Sequence, residues 1–275
     1  MSLDTTRAVA DIRRITRTTD AREVALGAYE RLVELLESLE PDDWQAPTEC
    51  PGWDVSAMVG HLIGAAASCA SLREAMRQQW WGWRHAADHG GNSLDATNAL
   101  QVSDHAELDP AARLAELREL APAAVAGRMR FPRPLGRLSV PLDPGGSTAP
   151  GMPGRLVLGH LMDVVYTRDV WLHTIDIARA TSRPRVLDPA VDGRLLEDVV
   201  AEWAERHGRP VVLALSGPGA GRFRQSEGGG LLHLDATDFV RILSGRAAPG
   251  TAGGDVEVEA DPADTVELLQ TRLVF

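Results

Sequence analysis

The pattern of apolar and polar residues divides the chain into two parts. In the first part, apolar residues recur three or four positions apart, which is the spacing of an amphipathic helix. Four segments show this spacing: residues 24–39, 55–79, 110–126 and 155–180. An aspartate stands before each of the first three and can cap the helix that follows: Asp20, Asp54 and Asp109. The first part therefore predicts a bundle of four helices.

The pattern changes from about residue 185 onward. A helix is predicted for residues 189–207, and apolar and polar residues then alternate in short runs, as in half-buried strands. The runs cover residues 211–215, 221–225, 231–234 and 256–259, with a short helix from about Asp235 to Ser244 and a final helix that opens at Pro262. The expected fold class is therefore α plus α+β, with a helical bundle in residues 1–184 and a small α+β domain in residues 185–275.

Composition narrows the class of protein. Of the 275 residues, 44% are hydrophobic and 24% charged, as in an ordinary globular protein. We find no apolar stretch long enough to cross a membrane and no signal-peptide core near the N-terminus, so we expect a cytoplasmic protein. The net charge of -11 argues against nucleic acid as a partner. With only Cys50 and Cys69, a disulfide scaffold and a cysteine-based zinc site are excluded.

Three titratable residues interrupt otherwise apolar helical segments: His61, Asp169 and His173. A titratable side chain in such a place is costly unless it has a partner. Asp169 and His173 are four positions apart and therefore share one face of a helix. With His61 from another helix they would form a two-histidine, one-carboxylate site for a divalent metal. Three protein ligands leave one position open for water or substrate, as in catalytic zinc sites.

Two plainer interpretations stand beside the metal site. A single histidine such as His61 on an apolar face is more often hydrogen-bonded in the core than bound to a metal. The pair of Asp169 and His173 could be a surface ion pair one helical turn apart. The residues around that pair are mostly apolar, so little of this helix surface is expected to face solvent: Val170, Trp171, Leu172 and Ile175.

Two stretches of the sequence resemble a known family. Residues 44–62 read WQAPTECPGWDVSAMVGHL, and residues 168–178 read RDVWLHTIDIA. Together they resemble the mycothiol-dependent maleylpyruvate isomerase family, which belongs to the DinB-like metal-binding four-helix bundles. That family ends in a sterol-carrier-protein-like α+β domain, to which residues 238–246 show a weaker likeness. The resemblance thus extends over both parts of the chain.

The resemblance implies a set of metal ligands. In the family, one histidine and a Glu/His pair bind a divalent metal, usually zinc, and these positions fall on His61, Asp169 and His173. Asp169 stands where the family usually has glutamate, so its carboxylate reaches one methylene less far. The metal must then lie closer to the fourth predicted helix, or it binds less tightly.

The resemblance also implies an activity. Zinc stabilises a thiolate bound to it, and the thiol of the family is mycothiol, the small thiol of actinobacteria. The absence of lysine from the chain is typical of a GC-rich genome, which fits such a host. We therefore expect a metal-dependent enzyme that uses mycothiol on a small electrophile, either as an isomerase or as an S-transferase. The alternatives are a metal-dependent hydrolase using metal-bound water and a non-catalytic metal- or ligand-binding protein.

Other residues are candidates for supporting roles. Arg168, or an arginine of the second part, could hold a substrate carboxylate. Asp176 and His160 could orient the metal ligands from behind. A tryptophan cluster could line a substrate pocket or pack between helices: Trp80, Trp81 and Trp83.

Cys50 has the position of a catalytic cysteine, directly before Pro51. We interpret it as a packing residue, because no charged neighbour in the sequence would activate its thiol. The sequence leaves open the electrophile, the identity of the metal and the oligomeric state.

Overall fold

The computed structural model describes residues 6–142, 150–217, 219–249, 257–258 and 267–275. It contains two compact units. The first, the bundle, comprises Thr16–Ser147 and Gly154–Val186. The second, the α+β unit, comprises Met1–Ile15, Thr148–Pro153 and Leu187–Phe275.

Four long helices form the core of the bundle. In chain order the helices are α1 (Ala21–Glu37), α2 (Val55–Ala70), α3 (Leu72–His85), α4 (Ser93–Asp104), α5 (Pro110–Met129), the single turns α6 (Arg133–Gly136) and α7 (Leu158–His160), and α8 (Tyr166–Thr181). Helices α1, α2, α5 and α8 surround a common core, each packing against two of the others, and α3 and α4 pair beside α2. No helix in the described part of the chain is long and apolar enough to cross a membrane.

Two of the three predicted caps are confirmed. Asp54 Oδ1 accepts a hydrogen bond from the Ala57 N–H at 2.7 Å, which begins α2. Asp109 Oδ1 accepts one from the Ala112 N–H at 2.8 Å and begins α5. Asp20 stands at the start of α1 but makes no side-chain cap bond to that helix.

Residues 71–104 differ from the prediction. The single helix expected over residues 55–79 is wrong, because the chain is extended at Ser71 (φ -135°, ψ 120°) and α3 begins after it. The Ser71 hydroxyl accepts a hydrogen bond from the Glu74 N–H, so it caps α3. Helix α4 lies in a stretch for which no helix was predicted, and Asn92 caps it by accepting from two backbone N–H groups.

The fourth predicted helix also begins later than expected. Residues 155–157 form strand β3 (Arg155–Val157), which pairs antiparallel with β2 (Ser139–Pro141). An apolar run of this length fits a strand as well as a helix, so periodicity alone could not decide. The helix starts with α7, passes through a π-helical turn (Leu161–Val165) and continues as α8.

The α+β unit is built on a mixed sheet with the strand order β1-β5-β4-β6-β7. The strands are β1 (Thr6–Ala8), β4 (Val211–Ser216), β5 (Gly221–Gln225), β6 (Leu231–Asp235) and β7 (Glu257–Val258). Leu213 pairs with Phe223 and with Leu232, and all three are buried. They give the sheet its apolar face.

Among the described residues of this unit are the helices α9 (Arg194–His207), preceded by a π-helical turn (Pro189–Gly193), and α10 (Ala236–Ser244). They meet through Trp203 and Phe239, whose ring centroids are 5.2 Å apart. The expected helix over 189–207 and the one after Asp235 are thus present. The final helix expected at Pro262 opens outside the described residues.

Residues 6–15 lie in the α+β unit, whereas the expected boundary placed them with the bundle. Strand β1 pairs in parallel with β5. Further on, the fully buried carboxylate of Asp198 accepts hydrogen bonds from the Ile15 N–H at 2.8 Å and from Arg14 Nε at 2.9 Å. Contacts between residues almost two hundred positions apart leave no local pattern in the sequence.

Candidate metal centre

Helices α2 and α8 bring His61, Asp169 and His173 together inside the bundle. His61 Nε2 lies 3.5 Å from Asp169 Oδ2, and His173 Nε2 lies 3.3 Å from Asp169 Oδ1. The two imidazole rings stand edge to face, with centroids 5.4 Å apart. One ligand atom from each residue falls within 4.8 Å of the other two. The spacing of four between Asp169 and His173 therefore places both on the face of α8 that meets α2.

The donor atoms fit a small divalent cation. Nitrogen and oxygen ligands lie about 2.0–2.2 Å from zinc, so two ligands of a tetrahedral site are separated by roughly 3.3–3.5 Å. The observed separations of Asp169 from His173 and from His61 are 3.3 and 3.5 Å. The aspartate, although one methylene shorter than glutamate, reaches both imidazoles. Each imidazole is thus spaced from the carboxylate as two zinc ligands would be, the two rings facing different oxygens of Asp169.

Burial and charge shape the titration of this cluster. His61 and His173 are buried, while the Asp169 side chain keeps 22% of its surface exposed. Burial by itself would raise the pKa of Asp169, but the two imidazoles outweigh it and hold that pKa well below its usual range. Burial would lower the pKa of His173, but the Asp169 carboxylate outweighs it and raises that pKa well above the usual value. Asp169 thus stays ionised and available as a ligand.

The second nitrogen of His173 is held by Asp176. The completely buried Asp176 places Oδ2 3.0 Å from His173 Nδ1, one turn further along α8. A carboxylate at Nδ1 accepts the ring proton there, so that when the other ring proton is displaced the lone pair of Nε2 faces Asp169. Arg179, three positions further along α8, donates to Glu49 Oε1 at 3.2 Å.

The second nitrogen of His61 is held by a chain of amides that we call the amide relay: Gln101, Gln78 and the Gly64 carbonyl. His61 Nδ1 lies 2.8 Å from Gln101 Oε1. Gln101 Nε2 donates to Gln78 Oε1 at 2.7 Å, and Gln78 Nε2 donates to the Gly64 carbonyl at 2.9 Å. Both glutamines are buried, with 5% and 2% of their surface exposed.

The amide relay has only one possible direction. A backbone carbonyl can only accept, so the Gln78 group facing Gly64 must be its NH2 and the group facing Gln101 its oxygen. The same argument makes the Gln101 oxygen face His61, so His61 Nδ1 carries a proton and donates it. Nε2 then keeps its lone pair on the side of Asp169, as a metal ligand requires.

Cys50 also lies at the centre, on the loop before α2. Its sulfur, a ring nitrogen of His173 and an oxygen of Asp176 fall within 4.8 Å of one another, and the thiol hydrogen-bonds to His173. The loop is held by the Trp53 N–H, which donates to the Cys50 carbonyl at 3.0 Å. Interpreting Cys50 as a packing residue missed this contact, because spacing rules for helices do not extend to a loop.

Trp53 covers the two histidines from the same loop. Its ring centroid lies 5.0 Å from that of His61 and 6.3 Å from that of His173. The aromatic ring lowers the polarity of the surroundings and thereby strengthens electrostatic interactions within the cluster.

The tryptophans of α3 lie on its outer side. Trp80, Trp81 and Trp83 are 57, 37 and 72% exposed, and Trp81 stacks on His85 with centroids 3.7 Å apart. The residue of α3 that reaches toward the histidines is Gln78, through the amide relay. The structure thus gives the tryptophans no part in the His61, Asp169 and His173 cluster, and their role in substrate binding stays a prediction.

Arg168 and His160 also stay predictions. Arg168 is completely buried and precedes Asp169, so its side chain leaves α8 on a different face. His160 closes α7, on the far side of the π-helical turn from Asp169. Asp176 is the supporting residue from the sequence analysis that the structure brings into contact with the cluster.

The fold and the cluster define a class of protein: a helical bundle with a candidate cation site between two of its core helices, accompanied by a small α+β unit. The sequence profile of the mycothiol maleylpyruvate isomerase N-terminal domain matches residues 25–178, more than half of the chain. The chain therefore belongs to this family. All three candidate ligands lie within the matched residues.

Solved structures support the same architecture. The crystal structure of the mycothiol-dependent maleylpyruvate isomerase is similar, with a TM-score of 0.52 and 15% sequence identity, over 92% of this chain and 98% of that one. A point mutant of that enzyme matches with the same values. At this identity the likeness shows the fold, and it confirms the α plus α+β class. No curated protein sequence matches the chain.

Proposed function

We propose that the chain is a metal-dependent enzyme that uses mycothiol on a small electrophile, as an isomerase or an S-transferase. The observation that carries the proposal is the convergence of His61, Asp169 and His173, with both imidazoles directed from behind by Gln101 and Asp176. Membership of the mycothiol maleylpyruvate isomerase family supplies the thiol and the reaction type. We take zinc as the metal because two imidazoles and one carboxylate are typical of catalytic zinc.

A bound zinc ion would stabilise the sulfur of mycothiol as a thiolate at neutral pH. The residues around it have separate tasks. His61 and His173 present Nε2 lone pairs, and Asp169 supplies the negative charge that favours a cation. Gln101 and Asp176 keep the two rings in the tautomer that leaves Nε2 free. Because no fourth ligand from the protein is needed, one position remains for the thiol.

The reaction class follows from thiol chemistry. Addition of the sulfur to a conjugated double bond, rotation about the resulting single bond and loss of the sulfur return the thiol and invert the alkene. An S-transferase instead keeps the new carbon–sulfur bond, and the neighbouring carbon takes up a proton. Neither reaction consumes a cysteine of the protein, so Cys50 is free to act on His173 alone.

Turnover of maleylpyruvate tests the proposal. Zinc-loaded protein with mycothiol should isomerise the alkene, with His61→Ala reducing the rate by a hundredfold or more. His89→Ala, a change at a half-buried histidine of the same bundle, serves as the control. Mass spectrometry of the products separates an isomerase from an S-transferase, which adds the mass of the thiol.

Two outcomes would overturn the proposed function. Equal bound zinc in wild type and His61→Ala would show that the cluster does not bind the metal. Hydrolysis of activated esters by the zinc-loaded protein without any thiol, in the absence of thiol-dependent turnover, would favour the hydrolase.

A further inference from the structure

Arg128 is a buried cation with unused hydrogen-bonding capacity. It lies near the end of α5, only 1% of its surface is exposed, and no carboxylate in the described part of the chain lies within salt-bridge distance of it. Nη1 donates to Thr167 Oγ1 at 3.1 Å, whereas Nε and Nη2 have no partner among the described residues. A buried guanidinium with two unpaired N–H groups is costly for the fold.

The residues around Arg128 also lie near Asp169 of the candidate metal centre. Its guanidinium carbon lies 5.9 Å from the ring centroid of Tyr166, which is one turn of α8 before Asp169. Tyr29 of α1 and Cys69 of α2 are close enough to Arg128 for its charge to act on their pKa values, and the Asp169 carboxylate acts on both as well. Arg128, Tyr29, Cys69 and Tyr166 therefore form a second polar group beside Asp169, which we call the arginine cluster.

The phenols of the arginine cluster can donate hydrogen bonds. Burial raises the pKa of both Tyr29 and Tyr166 above the ordinary value, so each hydroxyl keeps its proton at neutral pH. Two neutral hydroxyls and the unpaired guanidinium nitrogens Nε and Nη2 form a set of donors around a positive charge. A planar carboxylate, which accepts two parallel N–H bonds from arginine, matches this set.

We propose that Arg128, with Tyr29 and Tyr166, binds a carboxylate of the electrophilic substrate and so selects anionic substrates. The inference rests on the proposed function for the source of the carboxylate. The ring of Tyr166 lies over the guanidinium and is itself partly exposed, so a carboxylate that approaches Arg128 from this side requires the ring to move. The reacting part of the substrate then lies toward Asp169 and the thiol.

Arg113 provides a matched control on the same helix. It is equally buried, but its three donor groups are all used, by the carbonyls of Leu108, Ser56 and Ala106 at 2.9, 2.9 and 3.2 Å. Arg113→Met should therefore lower the melting temperature clearly. Arg128→Met removes an unsatisfied buried charge and should leave the melting temperature unchanged or raise it. A drop as large as that of Arg113→Met would show a structural role and overturn the proposal.

Binding is measured without thiol, so it does not depend on catalysis. Maleate titrated into zinc-loaded wild type should release heat, and its uncharged dimethyl ester should bind at least tenfold more weakly. Arg128→Met should lose at least tenfold in maleate affinity at unchanged zinc content. Arg128→Lys, which keeps the charge but not the two-pronged geometry, should fall between the two. Equal maleate affinity in wild type and Arg128→Met would overturn the proposal.

Two further measurements separate this proposal from the metal centre. His61→Ala should still bind maleate within a few fold of wild type, and a complete loss there with none in Arg128→Met would assign the carboxylate to the metal instead. With an anionic electrophile and mycothiol, Arg128→Met should raise KM more than tenfold, and with a neutral ester it should leave KM unchanged. If neither electrophile turns over, the proposed function fails while the calorimetry still decides the carboxylate site.

Discussion

His61 donates its Nδ1 proton to Gln101 Oε1 at 2.8 Å, and Gln78 in turn holds Gln101. The tautomer of His61 therefore depends on Gln78, which reaches the imidazole only through Gln101. Gln78 lies on α3, a helix that contributes no candidate ligand. Supporting hydrogen bonds of this kind contribute about 10- to 100-fold to metal affinity.

We expect a graded effect of the amide relay on zinc binding. Gln101→Leu should weaken zinc binding by about 10- to 100-fold, because His61 loses the acceptor that favours the tautomer with its proton on Nδ1. Gln78→Leu should have a smaller effect in the same direction, since it acts only through Gln101. Competition with a chromophoric chelator measures both. Gln79→Leu, at the exposed neighbouring position, is the control and should match wild type; equal affinity in all four proteins would rule out the relay.

Substitution of Asp176 should reduce zinc affinity more than it reduces the stability of α8. Asp176→Asn keeps an acceptor of the same size at His173 Nδ1 but removes the charge, so zinc affinity should fall by about tenfold. Asp176→Leu removes the acceptor and should reduce affinity further. Asp188→Asn, in the α+β unit, provides an acidic-residue control, and isothermal titration with zinc is the measurement. An Asp176→Leu protein with wild-type zinc affinity would contradict the assignment.

The pH dependence of stability should have opposite signs with and without metal. Without metal, the raised pKa of His173 stabilises the fold fully below about pH 6.5 and loses this contribution as the pH rises through the raised value. The lowered pKa of Asp169 stabilises the fold above about pH 4 and loses its contribution as the pH falls. Metal-free protein should thus become less stable from pH 6 to pH 9.

Bound zinc should reverse this trend, because it would displace the proton from His173. Its affinity, and with it the stability of the loaded protein, should increase over the same interval from pH 6 to pH 9. Thermal unfolding of both forms at pH 6, 7, 8 and 9 gives the comparison, and Asp169→Asn should flatten the metal-free curve. Parallel curves for the two forms would show that the imidazole proton and the metal do not compete.

The close packing of α2 on α5 can be tested at Gly127. A Cβ at this position would lie 2.0 Å from the Cys69 carbonyl oxygen, and that backbone atom cannot turn aside. Gly127→Ala should therefore destabilise the bundle by at least about 2 kcal/mol. Gly193 also lies in helical backbone but has no atom within 4 Å of such a Cβ, so Gly193→Ala should stabilise by about 0.5–1 kcal/mol. Chemical denaturation measures both changes, and similar values at the two sites would contradict the packing argument.

The sequence was sufficient for the parts of the fold that depend on local signals. Helices α1, α5 and α9, the strands after residue 210 and two of three caps follow from periodicity and from aspartates at helix starts. Two local signals were overlooked, namely the Ser71 cap with Glu74 three positions on, and Asn92 before α4. The attachment of residues 6–15 depends on Asp198, a distant residue, and no local pattern predicts it.

The candidate site divides in the same way. The spacing of four between Asp169 and His173 places them on one face, and the further three to Asp176 places that carboxylate behind the imidazole. Gln101 and Gln78 could not be found in the sequence, because they come from a helix that was not predicted and from another whose start was misplaced. Arg128 is conspicuous only in the structure, where its burial without a carboxylate becomes visible.

The amide relay ends on the Gly64 carbonyl, and this has a consequence for how the protein can evolve. A main-chain oxygen is present whatever residue occupies position 64. Mutation there therefore cannot reverse the order of donors and acceptors in the amide relay. Replacement of either glutamine alone leaves a polar group of the other without its hydrogen-bond partner. Descendants of this protein should therefore either retain both glutamines or replace them together, and variants with a single replacement should be rare among natural homologues.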